Sequence, residues 1–163
     1  MFWIGFTKGP LREARHGEEG LVGLLMLGSH EERFVTHTWT WSQERYVSEW
    51  RRALTQALAG KASALITDMR TPAQSSHLIW WPMWRIGNEL VFQNQLFFFA
   101  KHKLKSTHID VEHLYDLVGN HKPVNHDGVQ VSEWRVAAED VKSFLDSTSD
   151  QLVTTNSQPR VPN

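Results

Sequence analysis

Apolar and polar positions alternate from Phe34 to Trp39, with Phe34, Thr36 and Thr38 opposed to Val35, His37 and Trp39, the period of a half-buried strand. Phe2–Phe6 and Leu21–Leu27 predict earlier strands, and the charged stretch from Lys8 to Gly20 between them predicts a flexible link. Ser42 suits an N-cap. Behind it Tyr46, Trp50, Leu54 and Leu58 recur every fourth residue, Val47, Ala53 and Ala57 widen the stripe, and Gly60 closes the helix. Ala64–Met69 predicts the next strand, ended at Thr71-Pro72 because the residue before a proline avoids the helical region. His77–Ile86 and Glu89–Phe99 then flank Gly87-Asn88, a two-residue hairpin loop in which both positions tolerate positive φ.

The hairpin carries Leu78, Trp80, Trp84 and Ile86 on one face and Ile79, Trp81 and Met83 on the other, so both faces are expected to be covered. Pro82 has no N–H and needs a bulge, or a place where its nitrogen points away from the ladder. Further on, Asp110 is expected to cap a short helix with Val111, Leu114, Tyr115 and Val118, stopped by Gly119. Asp127-Gly128 marks a turn, Val129–Val136 a last strand, and Glu139–Leu145 a last short helix. Ser147–Asn163 is polar and without periodicity, which predicts a disordered tail after a single domain at 1–146. The fold class expected is α+β, antiparallel β-sheets with two to three packed helices.

Composition supports one soluble domain: 163 residues, 40% hydrophobic and 21% charged, with eight tryptophans. The absence of cysteine excludes disulfides, a thiol nucleophile and a Cys-based zinc site, and favours a reducing compartment, the cytoplasm. Met1–Gly5 is apolar without a basic flank, unlike a signal peptide, and no apolar run approaches the ~18–20 residues of a membrane span. A net charge of −1 gives no overall pull toward nucleic acid. Locally, Ser106–Asp146 holds eight acids against three bases, a balance of 3 − 8 = −5 that would attract a basic partner.

Motifs for catalysis are missing. There is no G-x-S-x-G elbow and no glycine-rich phosphate loop, so no enzyme and no cofactor is expected. His102, His108, His113, His121 and His126, with Asp110, have no tight ligand spacing, and they read as surface or cap residues with no metal. A rival reading makes Trp80, Trp81, Trp84 and Phe97-Phe98-Phe99 a stacking platform for single-stranded nucleic acid, with Arg85, Lys101, Lys103 and Lys105 on phosphates. Aromatics alternating on a central hairpin are more often core.

Several of these pieces form an ordered pattern. Met1-Phe2 with Lys8-Gly9, the Trp41…Tyr46…Trp50 helix ending in Leu58-Ala59-Gly60-Lys61, and Ala64-Leu65-Ile66 come first. Trp80-Trp81, the run Val91-Phe92-Gln93-Asn94-Gln95-Leu96-Phe97-Phe98, and Asp127-Gly128…Val131-Ser132-Glu133-Trp134 follow. Over about residues 1–145 the chain resembles an immunity protein of bacterial contact-dependent growth inhibition systems, the CdiI group. Gln93-Asn94 and Ser132-Glu133-Trp134 are its most specific elements. Read structurally, Asn94 and Glu133 would satisfy backbone groups at a strand bend while Trp134 fills the core.

The resemblance implies antiparallel strands with packed helices, in one member similar to the Whirly scaffold, from which nucleic-acid binding does not follow. It also implies a cognate partner bound in the cytoplasm: the C-terminal toxic domain of a large secreted effector, very often a nuclease. No contact residue carries over. A nuclease must be basic to hold phosphate, so carboxylates are the expected steering groups. The candidate toxin-binding residues are Asp110, Glu112, Asp116 and Asp127, with Tyr115 as an aromatic anchor and Glu31 and Glu32 as a second patch.

Overall fold

The computed structural model describes residues 1–7, 12–14, 18–105 and 108–154, with side chains for 1–7, 20–105 and 108–147. The Lys8-Gly9 element of the resemblance lies outside these residues. Strand β1 (Phe2–Phe6) is where its apolar pattern predicts it, but the expected link after it contributes β2 (Arg12–Ala14) and the start of β3 (Glu18–Leu27). Both pair antiparallel with one another, so backbone bonding to a neighbour extends β3 beyond its apolar residues. β4 (His30–His37) begins four residues before Phe34, because a tight turn after Leu27 pairs it with His30 and zips Glu31–Arg33 against Leu24–Met26. β1 and β2 lie along one edge of β3 and β4 along the other, giving a four-stranded antiparallel sheet among the described residues.

Helix α1 (Gln43–Leu58) starts at Ser42, whose hydroxyl accepts from Arg45 N–H at 3.2 Å, and ends before Gly60 at φ +88°. Its buried stripe is Tyr46, Trp50, Ala53, Leu54 and Ala57. Strand β5 (Ser63–Asp68) follows, buried along its whole length. The hairpin is β6 (His77–Ile86) with β7 (Glu89–Gln93) and β8 (Gln95–Phe98). Its two-residue loop has Gly87 at φ +60° while Asn88 has a negative φ, as in a turn that needs glycine only at its first position.

The second arm of the hairpin is thus broken where one strand was expected. β7 and β8 pair with β6 in one continuous register, but no bridge joins Trp81 and Pro82 to Asn94 and Gln93 opposite. Pro82 is bridged on its other side to Ala64 of β5, and the ladder lapses where its missing N–H leaves a gap.

A 3-10 turn (Phe99–His102) leads to α2 (Val111–Asp116), capped by Asp110, and then to an irregular stretch before β9 (Glu133–Ala137). β9 starts later than its pattern predicts, because residues 123–131 bond among themselves: Asn125 N–H donates to Val129 O at 2.8 Å and Val131 N–H to Pro123 O at 2.9 Å. The second sheet is five-stranded, ordered β5-β6-β7-β9 with β8 also on β6. Helix α3 (Ala138–Thr154) runs past Leu145 into the segment expected to be tail; residues 155–163 lie outside the described ones. Among the described residues no helix is long and apolar enough to cross a membrane.

Sheets and helices share one core. The Trp50 ring meets Phe6 of β1 and Phe34 of β4, while its indole N–H donates to Ile66 O of β5 at 2.7 Å. Phe2 stacks on Phe92 of β7 and meets Phe144 of α3 edge-on. The result is an α+β fold of antiparallel sheets with packed helices. Trp50→Ala removes both the ring and the donor to β5, so we expect a loss of about 3–5 kcal/mol, measured as a fall in the urea unfolding midpoint.

Candidate functional site

The acidic region is built on α2, whose polarity comes from a short amphipathic turn. Val111, Leu114 and Tyr115 point into the core, while Asp110 and Asp116 are exposed and Asp110 accepts from Glu112 N–H at 3.1 Å. Tyr115 is 2% exposed, and burial, reinforced by nearby Glu49, pushes its hydroxyl above the ordinary tyrosine range. It is a core residue and not the surface anchor its position suggested. A helix of six residues presents one inward face, and Val111, Leu114 and Tyr115 fill it here.

The carboxylates of α2 are also less open than their local charge implies. Glu112 pairs with Arg52 of α1 and with Lys61 at 3.4 Å, and it accepts from Gln56 at 3.3 Å. Lys61 lies 3.8 Å from Asp116. These cations come from a part of the chain about 50 residues away and offset much of the local excess. Asp127 stands apart on a turn in which Asn125 Oδ1 accepts from the Asp127 and Val129 N–H groups at 2.9 and 3.0 Å; its carboxylate meets His126 at 3.2 Å. Glu31 and Glu32 do not form one patch. They are neighbours in β4 and therefore face opposite ways, Glu31 toward Arg33 at 3.6 Å and Glu32 toward His30 at 3.8 Å.

A second cluster joins two elements that the linear pattern singled out only separately. Gln93 and Glu133 are cross-strand neighbours of β7 and β9. Gln93 is buried; its amide donates to Lys122 O at 3.0 Å and to Glu133 at 3.4 Å, and its carbonyl accepts from Gln95 at 2.8 Å. Glu133 also accepts from His121 Nε2 at 2.8 Å and Arg135 at 3.0 Å. Burial works against the Glu133 charge, but the hydrogen bonds from His121, Arg135 and Gln93 outweigh it and hold the carboxyl below the ordinary range. Backbone satisfaction thus falls to Gln93, and Glu133 bonds side chains. Trp134 is half-buried, stacked on His30 with centroids 4.3 Å apart and 5.3 Å from Trp81. The signal for this cluster was a polar Gln93 inside an apolar strand.

Beside the cluster lies an open groove of about 740 Å³ between Gln95 and the segment 117–126, with Trp84, Lys122 and Val131 in its walls. Trp84 closes one end by donating its indole N–H to Gly119 O at 2.9 Å. The aromatic residues do not form a stacking platform: Trp80, Trp81, Trp84, Phe97 and Phe99 are all buried, and of that set Phe98 alone is exposed, at 37%. The histidines are dispersed, His102 stacked on Phe97 and His121 hydrogen-bonded to Glu133. No three metal-ligating side chains converge among the described residues.

Residues 36–144, which span α1, β5–β9 and most of the features above, match the family model described as the CdiI N-terminal domain. The chain belongs to this family. A chain of the solved structure named "CdiA-CT/CdiI toxin and immunity complex from Enterobacter cloacae" has the same fold as this CdiI chain, with a TM-score of 0.78 at 20% identity, over 92% of this chain and 99% of that one. No curated protein matches it.

In this CdiI fold Glu133 links β7, β9 and the 121–122 segment, and folding favours its ionised form. That stabilisation is complete above the ordinary glutamate value of 4.5 and is lost as pH falls through the lower folded value. Glu133→Gln should therefore be less stable than wild type at neutral pH and should flatten the acid limb of a plot of urea midpoint against pH.

Proposed function

We propose that this CdiI chain is an immunity protein that binds and neutralises, in the cytoplasm, the C-terminal toxin domain of its cognate contact-dependent growth inhibition effector, and that this toxin is a nuclease. It acts by occupying the toxin and not by catalysis. The observation that carries the reading is the family match over residues 36–144, two thirds of the chain. The fold shared with a chain of the toxin and immunity complex supports it. The nuclease class is supported by charge: the exposed carboxylates of Asp110 and Asp116 suit a surface that must carry cations for phosphate.

Expression of the toxin domain alone should stop growth, and co-expression with this chain should restore it; death of cells making both would sink the immunity reading. The acidic face has its own test. Asp110→Asn keeps the helix cap, and combined with Asp116→Lys it should slow association and weaken its salt dependence, with little change in thermal stability. Stopped-flow association rates that match wild type across salt concentrations would remove α2 from the interface.

A further inference from the structure

β7 and β8 form one interrupted run along β6, but β9 covers only its first half, Glu89–Gln93. Before Glu133 the chain turns away from β8: Val131 N–H donates to Pro123 O at 2.9 Å and Gln130 bridges Val124. The outer edge of Gln95–Phe98 therefore has no neighbouring strand among the described residues. Such an edge presents N–H and C=O groups ready to template another strand.

Side chains and charge fit the same use. Leu96 is 49% exposed and shares a face with the exposed Phe98, while Phe97 between them points inward. Ile79 sits opposite Leu96 on β6 and widens this apolar strip. At the strip's end Lys101 Nζ lies 5.4 Å above the Phe98 ring, and Lys122 lines the groove that Gln95 also lines. Lys101, Lys103 and Lys122 make no ion pair among the described residues, whereas Glu112, Asp116 and Glu133 are each matched to a base. What lies along β8 should therefore bring carboxylates as well as apolar side chains.

We propose that an extended, acid-bearing segment of the toxin domain adds as a strand to the outer edge of β8, with apolar side chains on Leu96 and Phe98 and carboxylates against Lys101 and Lys122. This rests on the immunity reading above. The backbone supplies hydrogen bonds independent of sequence, and the alternating side chains and lysines supply selection. The carboxylates belong to one segment of the toxin, so a toxin that is basic elsewhere satisfies α2 and β8 together.

The probe is a catalytically inactivated C-terminal domain of the cognate contact-dependent growth inhibition effector, mixed with the full chain. Hydrogen exchange at Gln95–Phe98 should slow in the complex, while Leu96→Ser with Phe98→Ser should raise Kd by about tenfold or more at unchanged melting temperature. Lys101→Glu, at an exposed position, should weaken binding in the same direction and serves if the double variant folds poorly. Wild-type binding with unaltered exchange at Gln95–Phe98 overturns the β8 proposal and leaves the immunity reading standing. No complex with the wild-type chain overturns both. A free chain that is dimeric through β8, and becomes monomeric on the double substitution, gives the edge to a second copy and also overturns the proposal.

Discussion

The fold depends on burying Tyr46 and Trp50 of α1 without stranding their polar atoms. An indole N–H or phenol in an apolar core costs free energy unless it finds a partner. Here each partner is a main-chain group in a strand or just past its end: Trp50 donates to Ile66 O, and Tyr46 donates to His37 O while accepting from Met69 N–H at 2.8 Å. Those bonds fix α1 against the ends of β4 and β5 at once. The same junction is closed by Thr36 donating to Thr67 O and by Asp68 accepting from His37 N–H at 3.1 Å and Arg70 at 2.8 Å. The two sheets therefore have one relative placement, and everything attached to the second sheet inherits it.

What the second sheet carries follows from a single residue type. Pro82 deprives β6 of one N–H, and the facing strand lapses at Gln93 and Asn94. Gln93, unbridged to β6 there but still paired with Glu133 of β9, turns its side-chain amide to Lys122 O and Glu133 and so pins the segment that walls the groove. Because that segment folds on itself, β9 stops at Glu133 and β8 keeps an edge with no neighbouring strand among the described residues. An irregularity in the ladder and a potential docking edge are one event seen at two places.

Charge tells a complementary story. The segment 106–146 is acidic in isolation, yet Arg52 and Lys61 reach it from α1 and the turn after it, and Arg135 and His121 flank Glu133. Exposed pairs of this sort contribute little to stability, but they decide which charges remain for a partner. The carboxylates left open are fewer than the local sum implies, and the lysines near β8 make no ion pair among the described residues.

Period and punctuation along the chain were enough to place α1 with its Ser42 cap and Gly60 stop, the hairpin about Gly87 and the Asp110 cap, because each rests on contacts between residues close in sequence. The ordered aromatic and polar pattern likewise carried the CdiI family. Tertiary structure alone decided the rest. Whether Tyr115 faces the core, which cations cover Glu112, how Gln93 meets Glu133 and where β9 abandons β8 all turn on residues tens of positions apart. Local periodicity reports which face of an element is apolar, but only packing determines what that face and its charges will meet.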